Sequence, residues 1–315
     1  MRRGFLAMAI VAGCGARTDL GTRTLAGDAG LDASSDAPLD APADAPASCG
    51  PAHLAQTAAQ PDAIAIDGDW VYWHDAAGIS RVKKTGGPAN SVADATPALW
   101  PDLVAFALAG GFAFYADGGA ILRAPVGGGT AMPLGFTIAN AGFATDASRV
   151  FVWSRSGSPA EIDRFDVSGA NFAKVGQVGE PPSEMAFAGT TAYVAADPGV
   201  WKLGFGAGDA LLSGLTATDV VVDGATLYFT SDDATNGARV MRLATDTLKA
   251  EPIADTAGAF ALARDDQDLF VIDALGLRVR RIAGMVGPVV DVAGFAPDYS
   301  PVDVVVDASC VYFTL

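Results

Sequence analysis

The chain is poor in the residues from which most catalytic centres are built. Its 315 residues include two histidines, three cysteines and four glutamates, Glu161, Glu180, Glu184 and Glu251. No GxSxG elbow, no HExxH helix and no phosphate loop occurs; Gly127-Gly128-Gly129 lacks the Lys and Ser/Thr that would follow in such a loop and reads as a hairpin turn. Positive charge is scarce as well. Twenty Lys and Arg face 36 Asp and Glu, a net charge of −16 with a pI near 4.3, which argues against nucleic acid and against anionic lipid surfaces as partners. The acidity is spread along the chain, as suits the solubility of an exported domain. Also missing are capped stretches with a 3.6-residue apolar stripe, so helices are not expected.

What the chain does have is a phrase that returns seven times. A turn rich in Asp and Gly is followed by an aromatic residue among apolar neighbours: DGDWVYW, AGGFAFY, DASRVFVW, AGTTAYVA, DGATLYFT, DDQDLFVI and DASCVYFT. The aromatic anchors are Tyr72, Phe114, Phe151, Tyr193, Tyr228, Phe270 and Tyr312, spaced by 42, 37, 42, 35, 42 and 42 residues. A period near 40 with several short strands per unit predicts an all-β β-propeller.

The rest of each unit fits four strands. An apolar run such as Ala63–Ile66, Val220–Val222 or Val304–Val306 precedes the turn and reads as an inner strand buried on both faces. The aromatic strand comes next. A third strand carries an apolar residue, any residue and then a basic one: Ile79/Arg81, Ile121/Arg123, Ile162/Arg164, Val200/Lys202, Val240/Arg242 and Val279/Arg281. A buried Arg needs a partner, so these are expected to pair with a carboxylate of the neighbouring blade. A Gly turn and a weaker outer strand close the unit. The chain stops just after the seventh aromatic strand, and His53–Thr57 resembles the outer strands elsewhere. The expectation is therefore seven blades, the last three-stranded and closed by strands from both termini, which hides the sheet edges; six blades with an extra hairpin is the alternative.

The N-terminus gives an address. Met1-Arg2-Arg3 is a basic start, Gly4 to Ala12 is an apolar core too short to span a bilayer, and Val11-Ala12-Gly13-Cys14 follows. This resembles the lipobox of bacterial lipoproteins. The resemblance implies removal of residues 1–13, lipidation of Cys14 and, with Gly15 next, an outer-membrane destination. Residues 14–48 include the Ala/Asp/Pro-rich run Asp36–Pro46, which has nothing to bury and reads as a disordered tether. Membrane contact is then expected through the anchor alone, with the propeller over residues 49–315. Cys49 and Cys310 remain, at the two ends of that domain, and suggest a disulfide that locks the ring. It would close a loop of about 260 residues and contribute roughly 4–5 kcal/mol.

Candidate functional residues are few. The recurrent Asp67, Asp146, Asp223, Asp265 and Asp307, five residues before their anchors, read as turn formers. The insertion Ser231–Gly237 occurs in one unit only, and the oxygens of Asp232, Asp233 and Asn236 could hold Ca²⁺, although an EF-hand's spacing and terminal Glu are absent. Trp73, His74 and Asp75 follow the first anchor and would share an end of the ring with that insertion. Trp70, Trp73 and Trp100 read as inter-blade packing or as an aromatic platform for a sugar or peptide.

With these motifs in view, residues 62–315 resemble the YWTD-type and TolB-like propellers. Tyr72-Trp73-His74-Asp75 and Tyr228-Phe229-Thr230-Ser231 are the nearest approaches to the full Tyr-Trp-Thr-Asp, which never appears. The resemblance implies binding of proteins or peptides across one end face. The expected function is thus a non-catalytic binding or scaffolding module of the cell envelope, with an envelope protein, a peptide or a glycan as partner and no cofactor beyond the Ca²⁺ considered above. The competing class is a metal-dependent propeller enzyme of the lyase or lactonase type, which would need His, Glu and Asp converging at the hub.

Overall fold

Each repeat folds into an antiparallel sheet. The computed structural model describes residues 8–13, 52–57, 60–94, 105–146, 148–204, 209–233, 237–297 and 299–315. Its strands form seven four-stranded sheets, six of them built from four consecutive strands. In the first of these the strands are Ala63–Asp67, Trp70–Asp75, Gly78–Lys83 and Asn90–Asp94, from inside to outside. The later inner strands are Phe106–Ala109, Ala141–Thr145, Glu184–Ala188, Ala217–Asp223, Ala259–Arg264 and Val304–Val306. Each packs against the next, and Val304–Val306 packs against Ala63–Asp67, so the hub is a closed ring. Among the described residues a single 3₁₀ turn, Ala283–Met285, is the one departure from strand and loop.

The seventh sheet is composite and differs from expectation. Val304–Val306 and Val311–Thr314 come from the C-terminus, and Ala52–Thr57 lies outermost as anticipated. Between them, however, lies Met8–Gly13, expected to be part of a leader outside the propeller. The sheet thus has four strands rather than three. The physical reason is the direction of the chain: the register makes Met8–Gly13 antiparallel to both neighbours, so Ala52–Thr57 runs parallel to Val311–Thr314 and is not its antiparallel partner.

The anchors hold the ring together. All seven aromatic anchors are at most 6% exposed, and each joins a hydrophobic cluster that crosses one seam between blades. Tyr72 packs with Phe106 and Tyr115 of the second blade, Phe114 with Phe143 and Phe165 of the third, and Tyr312 with Ile64 and Trp73 of the first. Burying one such ring contributes about 1.5–3 kcal/mol, so the repeat spacing is also the spacing of the main cohesive contacts.

The acidic turns divide into two kinds. Where the turn lacks glycine, the Asp side chain closes it: Asp146 accepts the amides of Ser148 and Arg149, Asp265 those of Gln267 and Asp268, and Asp307 those of Ser309 and Cys310. In the turns after Asp67 and Asp223, Gly68 and Gly224 supply a positive φ instead.

The third-strand basic residues depart from expectation. Arg81 lies 4.1 Å over the Trp70 ring and reaches Gly127 O of the next blade; Arg123 lies over Phe112 and donates to Val167 O. Arg242 and Arg281 pair with Glu251 and Asp268 of their own sheets. Backbone carbonyls and aromatic faces are within reach at these seams, and a neighbouring-blade carboxylate is not needed.

Candidate functional site at the hub

The inner strands share a register. In every blade one inner-strand residue pairs with the aromatic anchor, and the residue two positions earlier lies at the entrance of the hub: Ala63, Ala105, Gly142, Glu184, Asp219, Ala261 and Asp303. Four are small and three are acidic. This level of the hub therefore carries three carboxyl groups among four small residues, and at Gly142 the Trp153 ring takes the place of a side chain.

Two of these carboxylates span seams. Asp219 accepts the amide of its own neighbour Val220 (2.6 Å) and that of Leu262 in the next blade. Asp303 accepts Val304 N (2.8 Å) and, across the seam where the ring closes, Ile64 N (2.9 Å). The blades they reach carry Ala261 and Ala63 at the same level, side chains that have no acceptor for those amides. Glu184 accepts Met185 N at 3.1 Å, and the corresponding amide in its next blade, Val220 N, is already taken by Asp219.

Burial raises all three above their ordinary values, and repulsion from neighbouring carboxylates adds to it at Asp219 and Asp303. Asp303 is pushed up to about 7, first by burial and then by Glu184 and Asp62, against the pull of its two amides. Asp219 is raised well above its ordinary value by burial, with Glu184 and Asp303 adding to it. Burial raises Glu184 too, while Met185 N and Arg155 oppose. Asp219 is nearly inaccessible, whereas Glu184 and Asp303 are half-buried along the hub. The arrangement ties adjacent blades together and gathers three carboxyl groups, whose charged forms burial disfavours, at one end of the ring.

The residues singled out from sequence fall around this end, but not as a rim. Trp73, His74 and Asp75 are buried, only 2%, 5% and 5% exposed. Trp73 packs in the seam with Leu54, Val82 and Tyr312, and its indole donates to Asp75. His74 Nδ1 lies 2.7 Å from Asp62, and Asp75 accepts Ala77 N in its own turn. They secure the first blade and offer no surface to a ligand, which corrects the expectation of an exposed binding segment. As for the aromatic platform, Trp70 is capped by Arg81 and Trp100 lies outside the described residues. Asp232 is exposed at the tip of the hairpin Thr226–Asp233/Gly237–Ala244, the longest strands of the ring; the side chains of Asp233 and Asn236 lie outside the described residues. Among the described residues no group of three or more His, Cys, Asp or Glu is arranged to hold a metal. Cys310 is buried and takes part in a disulfide, while Cys14 and Cys49 lie outside the described residues.

Sequence reasoning missed Asp62, Glu184, Asp219 and Asp303. For the last three the signal was present: once the anchors are aligned, one column of the inner strands holds only Ala, Gly, Asp or Glu.

No protein-family model matches the chain, and no curated protein matches it. Solved structures do. A streptogramin B lyase structure is similar at a TM-score of 0.64, with 12% identity, 82% of this chain and 93% of that chain covered. A chain of a nidogen/laminin complex is similar at 0.51, with 15% identity and coverage of 81% and 88%. PorZ, a bacterial surface component of the type-IX secretion system of Porphyromonas gingivalis, is similar at 0.57 and 14% identity; 81% of this chain corresponds to 35% of that one. At such identities the likeness defines the fold: this is an all-β β-propeller.

Proposed function

We propose that this chain is a lipid-anchored, extracytoplasmic propeller that acts as a non-catalytic binding module, taking a protein or peptide at the end of the ring where the inner strands begin. The observation that carries this is the use of the hub carboxylates. In Asp219 and Asp303 both oxygens are spent on backbone amides of two adjacent blades, which makes them structural clasps. The two histidines are equally placed for structure: His53 is exposed on the outermost strand of the composite sheet, and His74 is buried against Asp62. A lyase- or lactonase-type centre would need these groups free and convergent. The same end carries the long hairpin with the exposed Asp232; a partner with basic groups, a glycan, and Ca²⁺ at Asp232, Asp233 and Asn236 are the ligands this hairpin suits. The resemblance of residues 1–14 to an export signal ending in a lipobox at Cys14 supports an envelope location, and Gly15 after it supports the outer membrane.

Two experiments test this. Cys14→Ser should abolish fatty-acid labelling; equal labelling of both proteins contradicts the anchor. Replacing residues 232–237 by a two-residue Asn-Gly turn should abolish capture of the envelope partner with an unchanged melting temperature. Undiminished capture moves the site elsewhere, and a metal-dependent turnover lost on chelation replaces the binding reading with the enzyme one.

A further inference from the structure

Met8–Gly13 has two incompatible roles. In the full chain it is the third strand of the composite sheet, pairing Ile10, Val11, Ala12 and Gly13 with Thr314, Phe313, Tyr312 and Val311 on one side and with Ala52–Thr57 on the other. In the reading proposed above it is also the end of a leader cut off before Cys14. On that reading, we infer that the processed protein has a strand-acceptor site between Val311–Thr314 and Ala52–Thr57, filled at the envelope by an extended strand of a partner protein that runs antiparallel to both.

Three observations point away from self-repair. The first is direction. The two strands that flank the gap are each antiparallel to Met8–Gly13 and therefore parallel to each other. They lie about two strand spacings, roughly 9.5 Å, apart. Every other strand pair in the molecule is antiparallel among the described residues, so sliding Ala52–Thr57 inward would create a pairing the fold uses nowhere else.

The second is composition. A third strand is joined to its outer strand by a short turn, as from Lys83 to Asn90 in the first blade. The segment in that place before Ala52 contains Pro42, Pro46 and Pro51. Proline lacks the amide that a central strand must donate.

The third is the signature. In the six other blades the residue opposite the anchor is basic: Arg81, Arg123, Arg164, Lys202, Arg242 and Arg281. Opposite Tyr312 stands Ala12. In residues 14–48 the two arginines, Arg17 and Arg23, are each preceded two positions earlier by glycine, Gly15 and Gly21. The tether therefore lacks the apolar-x-basic triplet, and in the leader it occurs only at Met1-Arg2-Arg3, ahead of Met8–Gly13 in sequence. A partner strand with that triplet would restore the pattern, and its positive charge suits a chain of net charge −16. Recognition would rest on main-chain hydrogen bonds to two edges, with the apolar and basic positions giving selectivity.

The test uses the native processed lipoprotein, extracted in detergent and stripped of partners by salt. Its N-terminus is read first by mass spectrometry: a chain that still begins at Met1 refutes the processing reading itself, a result distinct from any below. The probe is a fluorescent peptide of residues 6–13 with two lysines appended for solubility. We expect saturable binding, tighter for the Ala12→Arg peptide and roughly tenfold or more weaker for Val11→Pro, which removes one amide. Amides of Val311–Thr314 should gain hydrogen-exchange protection only when the peptide is bound. Absence of peptide binding overturns the inference, whether the amides are already protected in the monomer (closure by the chain itself), protected in a dimer (closure by a second copy) or unprotected throughout.

Discussion

Replacing Asp303 by Asn should change how the stability of the ring depends on pH. In the wild type the folded-state value is about 7 against 3.8 for a free aspartate. The folded protein then binds more protons than the unfolded chain across that interval, so this group's contribution is fully present below pH 3.8 and is lost as pH rises through about 7. At 1.36 kcal/mol per pH unit the interval sets a ceiling of about 4 kcal/mol, reduced in practice because Asp303 lines a hub that water reaches. The groups that face it are Asp62, Glu184 and Asp219, with Arg155 beside Glu184 and His74 beside Asp62. Asn cannot titrate and offers one oxygen, so Ile64 N or Val304 N loses its acceptor, at about 1–3 kcal/mol. Asp303→Asn should therefore be less stable than wild type near pH 4.5, and the deficit should shrink or reverse by pH 8. Urea midpoints of both proteins at half-unit steps would show it. A deficit constant across that range would refute the reasoning, because the carboxyl would then not titrate between its folded and unfolded values.

Other outcomes follow from the turns, the seams and the cysteines. Asp146→Ala should cost about 1–3 kcal/mol, because the side chain accepts the amides of Ser148 and Arg149; Asp67→Ala, exposed and followed by Gly68, should stay within about 0.5 kcal/mol, and equal thermal shifts would contradict the distinction. Phe151→Ala should cost about 3–5 kcal/mol in urea unfolding, since the ring is fully buried with Phe187 at 4.7 Å across a seam. Non-reducing peptide mapping of the exported protein should recover Cys49 joined to Cys310; a free thiol at either position contradicts that pairing.

Much of the fold was legible because one physical requirement repeats. Each blade must bury one aromatic ring in the next seam, and so Tyr72, Phe114 and their equivalents recur at a near-constant distance. The turn role of Asp146, Asp265 and Asp307 was legible for the same reason. For Trp73 the packing reading and the platform reading stayed open, and the burial of His74 was not legible, because a WHD triplet looks the same in sequence whether it faces water or a seam; closure of the ring against Leu54 and Tyr312 buries Trp73. The clasps at Asp219 and Asp303 were hidden because their partners, Leu262 N and Ile64 N, are backbone groups 43 and 239 residues away and leave no side-chain signature. The strand role of Met8–Gly13 was hidden because a short apolar run satisfies a leader and a sheet equally well.

The central claim is that this propeller binds a partner at the end of the ring marked by Glu184, Asp219 and Asp303. It is tested most directly by placing a photo-crosslinking amino acid at Asp232, on that end, and in a second protein at Thr85, in the turn at the opposite end, and irradiating intact cells. The account predicts a discrete adduct with one envelope protein from position 232 and none from position 85. An adduct from position 85 alone, or from neither position, would contradict it.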